Sequence, residues 1–196
     1  MRDRKEIASM RFKRKGKISS ASFLISMEEK STTQVKSVAG VIFTKDRQSV
    51  LLIQRRDVPV WTLPGGGVDP NESSEAAIIR EIVEETGFTV KIDRLIGDYL
   101  PINRLAKRTH LYECRIEAGT ATLSSETKAI SFFPLDQLPP MPPPYLSWIQ
   151  DGTKKLPPLQ KKLVEVSYKA LFKNALLHPI LVTRFLLARF GLSINS

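Results

Sequence analysis

Three glutamates in one short segment have a spacing that could bind a metal ion. Glu81, Glu84 and Glu85 occupy relative positions i, i+3 and i+4, so in a helix their carboxylates converge. Like charges at this spacing destabilise an isolated helix by roughly 0.2–0.5 kcal/mol per pair. A hard divalent cation would offset that cost, since Mg²⁺ and Mn²⁺ prefer oxygen ligands. The alternative is that Glu84 and Glu85 belong to a solvent-exposed charged face, on which Arg80 is an i, i+4 ion-pair partner.

The glutamates lie in a segment with the periodicity of an amphipathic helix. Its apolar positions recur at three- and four-residue steps and are expected to face a core. These positions are Ala76, Ile79, Ile82, Val83 and Thr86. This assignment places the glutamates on the opposite face. Asn71 or Ser73 is expected to cap the helix, and Gly87 to end it in the left-handed conformation.

Residues on both sides of the glutamates complete a longer motif. Its specified positions hold Gly66, Glu72, Arg80, Glu81, Ile82, Glu84, Glu85, Gly87 and Phe88. Seven fixed residue types, each with a background frequency of about 5–10 per cent, make a chance match on the order of one in 10⁸. The segment Gly66–Phe88 resembles the Nudix box at every position that the family pattern specifies.

The resemblance implies a fold and a reaction. The implied fold is α/β, a Nudix-like α/β/α sandwich with a mixed central sheet. The implied activity is metal-dependent hydrolysis of the pyrophosphate bond in a nucleoside diphosphate linked to another moiety, with nucleotide or oxidised-nucleotide clean-up as a role. Mg²⁺ or Mn²⁺ is the implied cofactor. The implied metal ligands are Glu81, Glu84, Glu85 and the carbonyl group of Gly66.

The remaining site residues follow from the same resemblance. Arg80 is expected to hold the carboxylates in place rather than to contact the substrate. Either Glu81 or Glu126 could act as the general base. Glu126 lies in the stretch before an aromatic strand where relatives carry an acidic loop residue, and Ala129 stands where a further glutamate would align.

A second function class competes with the enzyme. A Nudix-fold binding or regulatory protein could use its basic ends on nucleic acid or membrane. Three converging glutamates favour the enzyme, because a binding module has no need of them. The expected partner is a nucleoside diphosphate-type small molecule, and nucleic acid is not expected as the main substrate. The sequence leaves the identity of the substrate open.

Length and charge indicate one domain with extensions. The chain has 196 residues, 42% of them hydrophobic, and a net charge of +10. Residues 1–37 carry 10 basic and 4 acidic side chains, residues 38–149 carry 12 and 14, and residues 150–196 carry 8 and 2. We therefore expect a basic N-terminal arm at 1–34, a Nudix hydrolase domain at 35–150 and a basic, apolar helical extension at 151–196. The single cysteine, Cys114, is expected to be a buried structural thiol.

Strands are expected before and after the glutamate-bearing helix. Val35–Thr44 and Ser49–Arg55 read as a β-hairpin, because both are rich in β-branched residues and a turn separates them. Thr89–Leu95, Gly97–Ile102 and Thr109–Glu117 also read as extended. Leu159–Ala188 has a helical pattern that Pro179 must kink or divide.

The apolar C-terminal segment leaves three destinations open. Residues 170–192 could dock on the catalytic domain, pair with another copy in a homo-oligomer, or lie in a membrane interface. Soluble chains usually bury such helices, which favours docking or self-association. The N-terminal apolar run Ala21–Ile25 is too short for a secretory signal. We expect a cytoplasmic location, with peripheral membrane contact as the alternative.

Overall fold

A computed structural model describes residues 34–58 and 60–177. In chain order its elements are β1 (Ser37–Ile42), β2 (Ser49–Arg55), β3 (Trp61–Thr62), α1 (Ser74–Thr86), β4 (Phe88–Leu100), β5 (Thr109–Gly119), β6 (Thr127–Pro134), α2 (Tyr145–Thr153), β7 (Leu159–Lys162) and α3 (Tyr168–Leu177). A 3₁₀ turn at Val164–Val166 joins β7 to α3.

The strands form two sheets. The larger sheet has the order β1-β5-β4-β7. It is mixed, because β1 is parallel to β5 and β7 is parallel to β4, while β4 and β5 are antiparallel. The smaller sheet has the order β3-β2-β6 and is antiparallel throughout.

Strand β1 shows how the larger sheet is covered on both sides. Successive strand side chains point to opposite faces. Val38 and Ile42 pack in a cluster with residues of α1, whereas Ala39 and Val41 pack in a cluster with residues of α2. The sheet therefore lies between two helices, and the predicted α/β/α sandwich with a mixed sheet is confirmed.

The predicted hairpin of the first two strands is present only next to its turn. The bounds of β2 match the prediction, but β1 and β2 belong to different sheets. They are linked by an antiparallel bridge between Phe43 and Val50 and by a 2.9 Å hydrogen bond from the Thr44 amide to the Ser49 carbonyl oxygen. Strand β1 is buried on both faces, which is typical of a strand in a helix-covered parallel pair. Its hydrogen-bonding partner is β5, far along the chain.

Two further expectations need correction. Thr89–Leu95 and Gly97–Ile102 are not separate strands, because β4 runs continuously from Phe88 to Leu100 with an irregular register between Leu95 and Gly97. A helix was expected from Leu159 onward. The segment begins instead with strand β7, which pairs with β4. Gly97 permits this pairing, since a Cβ there would lie 2.9 Å from the Leu159 carbonyl oxygen.

Predictions made for residues 1–33 and 178–196 lie outside the described residues. They include the basic arm and the kink at Pro179. The division at 34/35 and 150/151 remains a prediction.

Helix α1 has the predicted ends but a different buried face. The Ser73 hydroxyl accepts a hydrogen bond from the Ala76 amide at 3.1 Å. Gly87 ends the helix with φ 74°. The buried residues are Ala77, Ile78, Ile82, Glu85 and Thr86.

The expectation that Ala76, Ile79 and Val83 face the core is therefore wrong, because all three are exposed. At 100° per residue, Ile78, Glu85 and Ile82 fall within an arc of about 60°. Glu85 consequently lies in the apolar face rather than opposite it.

The turn between β3 and α1 requires a glycine at position 65. Gly65 has φ +148°, and a Cβ there would lie 2.2 Å from the Val38 carbonyl oxygen. The backbone of the turn is thus pressed against β1. At Gly67, by contrast, a Cβ would have no heavy atom within 4 Å.

The two glycines make a matched pair for mutation. We predict that Gly65→Ala lowers the free energy of unfolding by about 3 kcal/mol or more, because it combines a disfavoured φ with a backbone clash. Gly67→Ala should change stability much less. Urea unfolding measures both variants, and equal stability of the two would contradict the close packing of Gly65 on β1.

Candidate active site

Arg80 links the carboxylates of the motif. Its Nε and Nη2 atoms donate to the two carboxylate oxygens of Glu72 at 2.9 Å each. Its Nη1 donates to Glu81 at 3.0 Å and to Glu84 at 3.3 Å, and Nη2 also reaches the Gly67 carbonyl oxygen at 3.0 Å. The bonds from Arg80 lower the pKa of Glu72 to about 2. One guanidinium thus holds three carboxylates and the glycine turn together.

Glu85 is the most buried of the three predicted metal ligands. Its residue is 6% exposed, and its Oε2 accepts a hydrogen bond from the Gly65 amide at 2.8 Å. Burial raises the pKa of Glu85 to about 7, and the charge of Glu81 adds to this rise, whereas the Gly65 bond and the charge of Arg55 oppose it. Because burial disfavours the ionised form, the Glu85 carboxylate is expected to bind a proton or a cation.

Glu81 lies against the glycine turn. A Cβ on Gly66 would be 2.4 Å from the Glu81 carboxylate carbon, so any side chain at Gly66 would displace that carboxylate. Burial raises the pKa of Glu81, and the bond from Arg80 opposes the rise.

The Gly66 carbonyl oxygen accepts hydrogen bonds from the Val38 amide and the Ser37 hydroxyl, both at 3.0 Å. Two bonds occupy both lone pairs of a carbonyl oxygen. The predicted metal contact of Gly66 therefore stays a prediction, and it would have to replace one of these bonds.

Glu126 lies in the exposed loop before β6. Its carbonyl oxygen accepts a hydrogen bond from the Arg56 amide at 2.8 Å. The Arg56 side chain holds the same loop through the Thr127 carbonyl oxygen at 3.1 Å. After burial and the nearer charged groups, the Glu126 charge also raises the pKa of Glu81 and Glu85. The role of Glu126 stays a prediction.

The donor set fits a hard divalent cation. Carboxylates of Glu81, Glu84 and Glu85 are the oxygen ligands that Mg²⁺ and Mn²⁺ prefer. Within residues 34–58 and 60–177, no three acidic, histidine or cysteine side chains are already arranged so that they could hold a metal ion. Arg80 accounts for this arrangement, since it engages Glu81 and Glu84 while Glu85 turns to the Gly65 amide.

Two residues that act on the charge of Glu85 were not identified from the sequence. Arg55, at the end of β2, and Tyr145, the first residue of α2, both interact electrostatically with Glu85. Neither has a short-range spacing relationship to the glutamates. Two features of the sequence could have drawn attention to them. Arg55 comes shortly before the glycine turn, and Tyr145 comes directly after a run of prolines.

Cys114, in contrast, is buried as predicted. Burial raises the pKa of its thiol to about 12, so the thiol stays protonated near neutral pH.

The glutamate-bearing helix, its glycine turn and the α/β/α sandwich are together the features that the resemblance to the Nudix family implies. A family model described as the NUDIX domain matches residues 33–152, and the chain belongs to this family.

Relatives agree with this assignment. A Bacillus subtilis (strain 168) protein provisionally named an 8-oxo-dGTP diphosphatase is 40% identical over 102 residues, which cover 52% of this chain and 68% of the relative. An ADP-ribose pyrophosphatase of Methanocaldococcus jannaschii is 36% identical over 110 residues, which cover 53% of this chain and 63% of the relative. The chain thus spans about two thirds of the length of these curated relatives.

A solved structure shares the fold. The crystal structure of an ADP-ribose pyrophosphatase from Streptococcus suis 89-1591 superposes with a TM-score of 0.55 and 27% sequence identity. The match covers 66% of this chain and 99% of that chain.

The buried carboxylate predicts a pH-dependent stability. The pKa of Glu85 in the folded chain, about 7, lies above its ordinary value of 4.5. The stability associated with its protonated form is therefore fully present below pH 4.5 and is lost as the pH rises through 7. Glutamine stays neutral and can still accept the Gly65 bond. We predict that Glu85→Gln is more stable than the parent at pH 8, by up to about 3 kcal/mol, and that the difference vanishes toward pH 4.

Unfolding in EDTA across this pH range measures the effect. Glu117→Gln is the matched control, because it removes an exposed carboxylate and should show no such gain. A Glu85→Gln protein that is less stable than the parent at pH 8 would show that the carboxylate is not penalised by burial.

Proposed function

We propose that this chain hydrolyses the diphosphate bond of a nucleoside diphosphate linked to another moiety, with Mg²⁺ or Mn²⁺ held by Glu81, Glu84 and Glu85. The observation that carries the proposal is the burial of Glu85 beside Glu81. A carboxylate that is buried next to another one, with its pKa raised to about 7, is suited to a cation ligand.

The chain's own residues have distinct tasks in this reaction. The Gly65 amide fixes the direction of the Glu85 carboxylate. Arg80 restrains Glu81 and Glu84. Either Glu81 or Glu126 accepts the proton of the attacking water. When bound, the cation would neutralise phosphate charge and lower the pKa of that water.

The names of the relatives support a nucleotide substrate. One is named for 8-oxo-dGTP and another for ADP-ribose, and both compounds contain a phosphoric anhydride linked to a nucleoside. Nucleotide or oxidised-nucleotide clean-up is the role that we infer from this chemistry. Nucleic acid is not proposed as the main substrate.

A substrate screen tests the function directly. The full chain should release product from at least one nucleoside diphosphate compound in the presence of Mg²⁺ or Mn²⁺, and not in EDTA. Binding of these compounds without turnover under any of these conditions would instead favour the regulatory alternative.

We also propose a cytoplasmic location and a contact surface in residues 170–192. Within residues 34–58 and 60–177, no helix combines the length and apolarity needed to cross a bilayer. Helix α3 exposes Tyr168 and Phe172, which favours a contact with another surface. Light scattering distinguishes a homo-oligomer from a monomer, and sedimentation of the full chain with anionic vesicles tests peripheral membrane contact.

Substitution of Glu85 tests the metal site. Glu85→Gln should keep helix α1, because both residues are good helix formers, but it removes a charged ligand. We predict a loss of at least about 100-fold in turnover. Steady-state kinetics at saturating Mg²⁺ measure the loss, and Glu117→Gln should turn over like the parent. Parental activity in folded Glu85→Gln protein would exclude the proposed ligand set.

Substitution of Glu126 decides between the two candidate bases. If Glu126 accepts the proton, Glu126→Gln should lower kcat with little change in the Kd for Mn²⁺. Steady-state kinetics and Mn²⁺ titration provide the two values. An unchanged kcat would assign the role to Glu81.

A further inference from the structure

The loop between β4 and β5 exposes apolar side chains. Ile102 is 43% exposed and Leu105 is 44% exposed. Asn103 fixes the turn that carries them, because its side-chain oxygen accepts a hydrogen bond from the Leu105 amide at 2.8 Å. The two apolar side chains are therefore presented to solvent by a loop whose backbone is held in place.

The same loop is joined to the segment that leads into α3. The side-chain amide of Asn103 donates to the Val166 carbonyl oxygen at 2.9 Å, and the Leu163 amide donates to the Leu100 carbonyl oxygen at 2.9 Å. Ala106 packs against the apolar cluster that contains Leu163 and Val166. The β4–β5 loop and the 3₁₀ turn before α3 thus lie side by side.

The 3₁₀ turn and α3 add further exposed apolar side chains beside this loop. Val164, Tyr168 and Phe172 are each more than half exposed. Isolated apolar residues are common on protein surfaces, but several of them on two joined segments mark a site of contact with another surface.

Both segments are also basic. Residues 101–108 contain three basic and no acidic side chains, and one of the three, Arg108, is paired with Asp98. Residues 164–173 contain two lysines and one acidic residue, Glu165, which is half-buried. The lysines of the two segments are all exposed, namely Lys107, Lys169 and Lys173. We call the surface of these two segments the basic apolar face.

The charge of the basic apolar face decides between kinds of partner. A closed dimer through this face would be isologous, so the same lysines of two copies would meet, and like charges in contact oppose association. Nucleic acid would complement the lysines but would leave Ile102 and Leu105 without apolar contacts. An anionic bilayer offers negative head groups to the lysines and an acyl-chain boundary to the apolar side chains.

We propose that the basic apolar face binds an anionic lipid surface, with its apolar side chains at the boundary between head groups and acyl chains and its lysines beside the head groups. The proposal rests on the contact surface proposed for residues 170–192. It adds the β4–β5 loop to that surface and gives the partner a chemical class. It does not depend on the hydrolase function.

Partition of the full chain onto vesicles tests the face. Co-sedimentation compares vesicles of phosphatidylcholine with vesicles that also contain phosphatidylserine. The parent should bind the anionic vesicles and lose most of this binding at high salt. Lys107→Glu should weaken the partition roughly tenfold or more, because it reverses a charge at the lipid surface. Ile102→Ser should weaken it about three- to tenfold, because it removes apolar area from the boundary.

Each variant has a matched control. Lys91→Glu changes the net charge by the same amount at an exposed position near the opposite end of β4, and Ile79→Ser removes an exposed apolar side chain from α1. Both should partition like the parent. Thermal melts establish that the variants are folded, and Leu105→Ser takes the place of Ile102→Ser if that variant does not fold.

Specific results would overturn the proposal. They are no binding of the parent to anionic vesicles, equal binding to neutral ones, or parental partition of folded Lys107→Glu and Ile102→Ser. In the last case the surface proposed for residues 170–192 would stand without the loop. Self-association in light scattering that both variants abolish would assign the face to a second copy instead. Nucleotide hydrolysis by the parent without vesicles tests the hydrolase function separately.

Discussion

The structure has to accommodate a carboxylate inside the apolar face of helix α1. Holding Glu85 ionised there costs up to about 3 kcal/mol, and burying Ile78 and Ile82 beside it contributes about 1.5–3 kcal/mol each. Those isoleucines reach β1 because Gly40 has no side chain, and a Cβ at that position would lie 2.8 Å from the Ile82 Cδ1. The carboxylate, the helix and the glycine turn thus share one support, strand β1.

Arg80 solves a different electrostatic problem. Three carboxylates close together repel one another, and Arg80 donates hydrogen bonds to Glu72, Glu81 and Glu84 at 2.9–3.3 Å. Arg80 therefore supplies a positive charge to these carboxylates. A cation at the proposed site would have to compete with the guanidinium for Glu81 and Glu84, but not for Glu85.

Local signals in the sequence predicted what local interactions determine. Ser73 and Gly87 define the ends of α1 through bonds within a few residues. The residue types predicted Gly87 correctly and gave Ser73 as one of two candidate caps. The buried face of α1 was harder, because Ile78 and Ile82 adjoin a second apolar stripe at Ile79 and Val83. Treating glutamate as a surface residue then selected the wrong stripe. The parallel pairing of β1 with β5 and the hydrogen bond from the Gly65 amide to Glu85 depend on distant parts of the chain, which spacing alone does not encode.

The contact between Gly66 and Glu81 limits how this protein can diversify during evolution. No side chain fits at position 66 without moving the carboxylate at 81, so position 66 cannot acquire a side chain while that carboxylate stays in place. Position 67, where a Cβ would have no heavy atom within 4 Å, carries no such restriction. Inherited substitutions in the glycine turn are therefore expected at position 67, while positions 65 and 66 stay glycine from one descendant to the next.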